Sequence, residues 1–130
     1  MIIDIERQND VCVLHCKGRF IAGPDLEYMQ SKMDEIKKLN CRRVLVDLRE
    51  VPAIGSMGVS LIVGVYTSVI RKPSGRFVLA GAGAPIQHVL DLTGLSTVIP
   101  QASDLASGLA MLRADAPMDP KALSKNVPAN

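Results

Sequence analysis

The chain has 130 residues, which suits one domain and leaves little room for a second. Hydrophobic residues make up 48% and aromatic residues only 3%, so the core has to be built from aliphatic side chains, as in helices laid on a Val/Ile-rich sheet. The 15 Lys and Arg residues only slightly exceed the 13 Asp and Glu residues and are scattered, which argues against a nucleic-acid-binding protein.

Two short β-type runs, MIIDIER and VCVLHCKG, open the chain, and the polar cluster between them predicts a hairpin. In the second run, Cys12, Leu14 and Cys16 alternate with the side chains of the other face. His15 on that other face is interpreted as a half-exposed sheet residue rather than a metal ligand. After the loop RFIAGP, Pro24 suits the first turn of a helix that ends near residue 40.

Three further strands are predicted, each followed by a helix. The strands are RRVLVDLRE, RFVLAGA and STVIP. The helices run from Met57 to Arg71, from Pro85 to Leu92, and over a last segment that carries Leu105, Leu109 and Leu112. The order β-β-α-β-α-β-α-β-α predicts an α/β fold with a small mixed sheet of about five strands and about four helices.

The domain is predicted to span residues 1–114, because residues 115–130 form a polar tail with three prolines. The uncharged run 51–70 has the length of a membrane span, but Pro52, Gly55 and Gly58 leave only about 13 helical residues, or about 20 Å. No membrane insertion is therefore predicted. The three cysteines lack metal-site spacing, and the N-terminus lacks a signal-peptide run, so a reduced, metal-free, cytoplasmic protein is predicted.

No motif specifies a catalytic centre or a cofactor. The segment GAGAP lacks the third glycine of a dinucleotide fingerprint, so Gly81 and Gly83 are interpreted as a strand-to-helix turn. The paired basic residues, Arg42-Arg43 and Arg71-Lys72, are interpreted as solvated ends of elements rather than as a phosphate site. The protein is predicted not to be an enzyme.

The stretch IGSMG, residues 54–58, joins a predicted strand to the uncharged helix. As an N-cap, Ser56 would stabilise the helix by about 1 kcal/mol relative to alanine. As a phosphoacceptor, it would hold its phosphate at the positive end of the helix dipole. The sequence leaves both roles open.

The same helix carries two apolar stripes. The first consists of Met57, Leu61, Val65 and Val69, and the second of Val59, Ile62, Val63, Tyr66 and Ile70. One stripe suffices to face a sheet. The second stripe either lies under neighbouring helices or forms an exposed docking patch.

The segments VLHCKGRF, CRRVLVDLREVPAIGSMGVSLIVGVYTSV and HVLDLTGLSTVIP follow in an order and spacing that resemble STAS domains, the bacterial anti-sigma factor antagonists. The resemblance extends from about Ile2 to Leu112. Ser56 matches the serine of the family's D-S-x-G motif. Gly55 stands where the family has the aspartate of that motif, and Ile21 where it often has an acidic residue.

The resemblance implies helices packed largely on one side of the sheet and a protein-binding role. In the partner-switching members, the unphosphorylated protein binds an anti-sigma factor of the Ser/Thr kinase type and so frees a sigma factor. Phosphorylation of the motif serine, here Ser56, ends that binding. The predicted partner-binding residues are Ile54, Gly55, Ser56, Met57, Gly58, Val59, Ile62, Val63 and Tyr66.

Two alternatives remain open. The chain could be a STAS subunit of another assembly, such as a lipid-transport complex or a stressosome-like particle, in which the serine is only structural. It could also be a small nucleotide-binding protein that uses Gly81, Gly83 and Gly94, although no phosphate-gripping Lys follows them.

Overall fold

A β-hairpin opens the fold. The structure is a computed structural model that describes residues 2–8, 10–19 and 26–113. Strand β1 (Ile2–Gln8) pairs antiparallel with β2 (Val11–Lys17), and Ile5 lies opposite Leu14. The predicted hairpin is therefore confirmed.

Three strands extend the sheet parallel to β2. They are β3 (Arg43–Glu50), β4 (Arg76–Ala80) and β5 (Gln101–Ala102). The strand order is β1-β2-β3-β4-β5, so every strand lies beside the next one in the sequence. The carboxyl ends of four parallel strands consequently share one edge of the sheet, and their amino ends share the other.

Within the described residues, four helices cover the sheet. They are α1 (Leu26–Leu39), α2 (Ser56–Ile70), α3 (Ala84–Leu92) and α4 (Leu105–Arg113). Helices α1, α2 and α3 contribute to the larger core cluster on one face, whereas α4 packs on the opposite face. The predicted α/β class, with a small mixed sheet and helices largely on one side, is confirmed.

The alternation of side chains in β2 divides the two cores as predicted. Cys12, Leu14 and Cys16 lie in the larger cluster, and Val11 and Val13 lie in the smaller cluster beneath α4. Aliphatic side chains fill most of both clusters, as the low aromatic content requires.

The prediction of a strand over STVIP is wrong. Gly94 adopts a left-handed conformation with φ 78°, and Leu95–Thr97 form a 3-10 turn. The backbone N–H groups of Val98 and Ile99 donate to the carbonyl of Leu95, so the chain is still turning where a strand was expected. Pairing with β4 starts only at Pro100, whose carbonyl accepts the N–H of Leu79 at 3.0 Å.

The prediction of three reduced cysteines is also wrong. Cys12 and Cys41 form a disulfide whose Cα atoms are 6.1 Å apart. The fold brings the start of β2 beside the residue that precedes β3, although the two cysteines are 29 residues apart in sequence. Cys16 remains a free, buried thiol.

Several predictions lie outside the described residues: the acidic position at Ile21, the helix start at Pro24 and the tail at residues 115–130. Within the described ranges, no helix is long and apolar enough to cross a membrane. No group of three His, Cys, Asp or Glu side chains in those ranges is placed to hold a metal ion.

Candidate functional site

The candidate site begins where β3 ends, in the loop of residues 51–55. Two buried apolar side chains, Val51 and Ile54, fix this loop to the larger core. The N–H of Val51 donates to the carbonyl of Leu48 at 3.1 Å, which turns the chain away from the strand. The loop therefore fixes the start of α2 at the edge of the sheet where the parallel strands have their carboxyl ends.

Ser56 lies inside α2, as its first residue, and is exposed. The N-cap is Gly55, in an extended conformation with φ −112° and ψ −169°, and no side chain caps the helix by a hydrogen bond. Of the two roles that the sequence left open for Ser56, that of N-cap is excluded, because the residue lies one position too far along the chain for it. No described residue hydrogen-bonds to its hydroxyl.

The first turn of α2 is consequently open to an anion. The N–H of Val59 donates to the carbonyl of Gly55 at 3.0 Å, and the N–H groups before it lack acceptors within the helix. The first turn also holds no acidic residue. A negative group placed on Ser56 would therefore meet free N–H donors and the positive end of the helix dipole.

The predicted partner-binding residues divide by exposure. Ser56 is exposed, a second group is partly exposed, and a third group is buried. The partly exposed residues are Gly55, Met57, Val59, Val63 and Tyr66, and the buried residues are Ile54, Gly58 and Ile62. Because Ile62 is only 1% exposed, a partner would reach the other residues and not its side chain.

The second apolar stripe of α2 is divided between the two roles that the sequence left open. Val59 and Tyr66 pack against the core, and the ring of Tyr66 contacts that of Phe77 edge-on with centroids 5.5 Å apart. Ile70, at the end of the stripe, is exposed. The second stripe therefore contributes Val59 and Tyr66 to the packing of the core and leaves Ile70 accessible to solvent.

A groove of about 200 Å³ lies beside Ser56, between α1 and α2. Its lining is mostly apolar and consists of Met29, Gln30, Met33, Asp34, Met57, Ser60 and Leu61. In the sequence, Met29 and Met33 stand at the three- and four-residue spacing of an apolar helix face, which indicates a core role and no groove. That the α1 face would lie next to the start of α2 depends on the packing of the two helices, for which the sequence carries no local signal.

A charged cluster on the opposite face of the sheet fixes the end of β3. The Nδ1 atom of His15 lies 3.0 Å from a carboxylate oxygen of Asp47, and its Nε2 atom lies 3.0 Å from one of Glu6. Arg49 donates to both Asp47 oxygens at 2.9 Å. The prediction of His15 as a half-exposed sheet residue is confirmed, with two carboxylate partners that the sequence did not indicate.

These contacts change the acidity of the cluster. The hydrogen bond that His15 donates to the Glu6 carboxylate raises the pKa of His15, against the opposing effect of burial. Burial by itself would raise the pKa of Asp47, but the hydrogen bonds from Arg49 and His15 outweigh it and hold that pKa below its usual value. The carboxylate of Asp47 is only 7% exposed and is stabilised in its charged form. Asp47 is therefore held in one position near the end of β3, before the loop of residues 51–55.

Comparison with known proteins gives one consistent result. A family model described as STAS domain matches residues 3–108. An anti-sigma F factor antagonist from Paenibacillus polymyxa is 23% identical over 99 residues, which cover 75% of this chain and 83% of that protein.

Solved structures share the fold. The crystal structure of an anti-sigma factor antagonist from Mycobacterium paratuberculosis has a TM-score of 0.77 at 19% identity, covering 87% of this chain and 94% of that one. The Bacillus cell fate determinant SpoIIAA in its phosphorylated form has a TM-score of 0.64 at 16% identity, covering 86% of this chain and 100% of that one. At these identities the structural likeness concerns the fold alone.

Proposed function

The chain belongs to the STAS domain family, and on that premise we propose that it is an anti-sigma factor antagonist. In this role it docks an anti-sigma factor of the Ser/Thr kinase type through the loop of residues 51–55 and α2, in the cytoplasm and without catalysing a reaction. The anti-sigma factor then releases its sigma factor. Phosphorylation of Ser56 opposes the docking.

The observation that carries the proposal is the position of Ser56. Its hydroxyl is exposed, has no hydrogen-bond partner among the described residues, and stands at the open first turn of a 15-residue helix. A role as helix cap is removed by Gly55, which occupies that position. A kinase active site therefore has free access to the hydroxyl.

The surroundings of Ser56 are suited to a neutral docking surface. No charged side chain occurs between Glu50 and Arg71, and the adjoining groove is lined by three methionines. Methionine side chains adapt their shape to an incoming apolar group, which suits a surface that binds and releases a partner. The partner gains by burying this apolar area and meets no charged side chain of α2, although Asp34 of α1 also lines the groove.

Phosphorylation of Ser56 makes docking less favourable. It adds nearly two negative charges and three acceptor oxygens to a surface with no cation in the first turn of α2. The free N–H groups stabilise the phosphate locally, so the helix stays folded. A partner packed over Ser56 would then have to desolvate the phosphate, which opposes binding. Relatives of this fold support the mechanism, since SpoIIAA has been solved in a phosphorylated form.

The glycine before Ser56 affects the kinase rather than the helix. A carboxylate at position 55 would lie next to the phosphate and repel it, and Gly55 removes that repulsion. It also removes a polar group that a kinase could recognise. We therefore expect the kinase to recognise the backbone of the loop and the apolar side chains Met57 and Val59.

The test uses the anti-sigma factor of the kinase type from the same cell as probe. Binding is measured by titration calorimetry without ATP, and the modified residue is mapped by mass spectrometry after incubation with ATP. Ser56→Asp should weaken binding about tenfold or more, because the partner has to desolvate the carboxylate. Ser56→Ala should bind normally and resist phosphorylation. Ser103→Asp, an equal charge change at an exposed residue before α4, is the matched control.

The outcomes separate the two parts of the proposal. If the unmodified protein does not bind such an anti-sigma factor, the docking function is refuted. If it binds while Ser56 stays unmodified or Ser60 is modified instead, the switch at Ser56 is refuted and the docking function stands. Equal losses for Ser56→Asp and Ser103→Asp would show that net charge, and not this site, controls binding.

A further inference from the structure

The two basic pairs of the sequence meet at one end of the fold. Arg42-Arg43 precede β3, and Arg71-Lys72 follow α2. The amino ends of the parallel strands bring them together: Arg43 is the register partner of Arg76 in β4, and the N–H of Arg76 donates to the carbonyl of Arg42 at 2.8 Å. The pairs were interpreted separately as solvated ends, but they form one surface.

Further contacts connect other cations to the same end. The Nζ atom of Lys72 donates to the carbonyl of Cys41 at 3.3 Å. Lys37 and Arg71 line one cavity of about 450 Å³ between the ends of α1 and α2. Arg113 lines a second cavity, of about 230 Å³, together with Arg43.

This surface, here called the basic end, gathers eight of the 15 Lys and Arg residues of the chain. They are Lys37, Lys38, Arg42, Arg43, Arg71, Lys72, Arg76 and Arg113. Within the described residues, one of these eight cations forms an ion pair: Arg43 with Asp10, at 3.8 Å. The positive charge is therefore largely uncompensated, although the net charge of the whole chain is only +2.

Helix dipoles explain only part of this arrangement. Lys37 and Lys38 lie in the last turn of α1, where cations complement the negative end of the helix. Arg42 and Arg76 belong to no helix end. A surface that concentrates this much positive charge attracts polyanions.

We propose that the basic end binds the anionic headgroups of a phospholipid membrane as a peripheral contact. Ile70, immediately before Arg71, is 39% exposed at this end. An apolar side chain among cations gains when it enters the boundary between headgroups and acyl chains, while the cations contact lipid phosphates. The contact is peripheral, since no described helix could cross the membrane.

The same features disfavour nucleic acid. An exposed isoleucine gains little against a phosphate backbone. No exposed aromatic side chain accompanies the eight cations on the described surface, because Phe77, next to Arg76, is fully buried. Binding of a single strand relies on such rings for base stacking.

Membrane contact leaves the site at Ser56 free. Ser56 and Ile70 are the two ends of α2, about 20 Å apart at 1.5 Å per residue. The inference is independent of the proposed function, because it involves neither the loop of residues 51–55 nor the start of α2.

The test is co-sedimentation of the full chain with vesicles of equal parts phosphatidylcholine and phosphatidylglycerol, compared with vesicles of phosphatidylcholine alone. The variant Arg42→Gln/Arg71→Gln removes two exposed cations from the basic end. The matched control, Lys17→Gln/Arg19→Gln, removes two exposed cations from the carboxyl end of β2. Each cation at an anionic surface contributes about fivefold in partitioning, so the first variant should bind about 30-fold more weakly and the control nearly normally.

Further results support or overturn the proposal. Binding should require phosphatidylglycerol, and Ile70→Ser should weaken it while leaving thermal unfolding by circular dichroism intact. Equal losses for the two double variants would overturn the proposal, because net charge alone would then explain binding. Equal sedimentation with both kinds of vesicle, or duplex DNA that outcompetes the anionic vesicles at equal phosphate, would also overturn it.

Discussion

Two helical glycines of the fold differ in what surrounds them, and alanine should destabilise the protein at one of them but not at the other. Gly108 is buried where α4 crosses the sheet. A Cβ built on it would lie 2.6 Å from Cδ1 of Leu45, 3.4 Å from Cβ of Ala80 and 3.6 Å from Cβ of Ala102. Leu45 is fully buried in the smaller core, so its methyl group has no free volume to enter.

The free energies set the expected size of the effect. Alanine is favoured over glycine inside a helix by about 0.5–1 kcal/mol. Overpacking a filled core costs about 1–3 kcal/mol. Gly108→Ala should therefore lower the free energy of unfolding by about 1–2 kcal/mol, or the melting temperature by about 4–8 °C.

Gly64 in α2 is the matched comparison. A Cβ there would lie 2.6 Å from Cε of Met33, which is the flexible end of a half-buried side chain at the wall of the groove. Met33 can turn into the groove at little cost, so the helix-propensity gain should remain. Gly64→Ala should be neutral, or more stable by up to about 1 kcal/mol.

The assay is urea unfolding followed by far-UV circular dichroism, because the chain has no Trp for fluorescence. The denaturant slope should be the same in all three proteins, so that differences in midpoint measure stability. Gly108→Ala with wild-type stability, or Gly64→Ala with a loss as large as that of Gly108→Ala, would refute this account of helix packing.

Two further predictions concern titratable groups. Glu6→Gln should lower the pKa of His15 in an NMR titration, because the hydrogen bond between Glu6 and His15 is the largest cause of the raised pKa. The control is Asp4→Asn, which changes the residue directly opposite His15 in the strand pair and should shift that pKa less. Equal shifts in the two variants would contradict the hydrogen-bond explanation. Because the pKa of His15 is raised in the folded state, its protonated form contributes stability at low pH that is lost as the pH rises through that pKa. Burial raises the pKa of Cys16 to about 12, and Cys12 and Cys41 are paired in the disulfide. The native protein should therefore show no fast reaction with a thiol reagent at neutral pH. Rapid labelling of any cysteine before unfolding would contradict this prediction.

The sequence predicted those parts of the fold that depend on local pattern. Alternation in β2 and the three- and four-residue spacing in α2 each identify a buried face, whatever lies opposite. The prediction of a strand over STVIP failed because the β-propensity of its Thr, Val and Ile residues is weak against tertiary context, and a buried isoleucine anchors the segment as a turn. Ile99 is that anchor, and the left-handed Gly94 starts the turn.

The candidate site shows the same limit. The sequence predicted the start of α2 to within one residue. A shift of one residue is enough to move the N-cap from Ser56 to Gly55, so the capping residue could not be predicted. The disulfide of Cys12 with Cys41 depends on which chain segments become neighbours. Local spacing carries no information about such pairs.

Helix α2 connects the two proposed sites through its own electrostatics. Its residues carry no charged side chain, so its dipole is compensated only by what lies at its ends. At the carboxyl end, Arg71 already provides a cation next to the last carbonyl groups. At the amino end, the first turn holds no acidic residue, and on the proposed function a phosphate on Ser56 would supply the anion. A phosphate there would complete the compensation and stabilise the helix, so on the proposed function the partner is expelled by charge on the docking surface and not by unfolding of the domain.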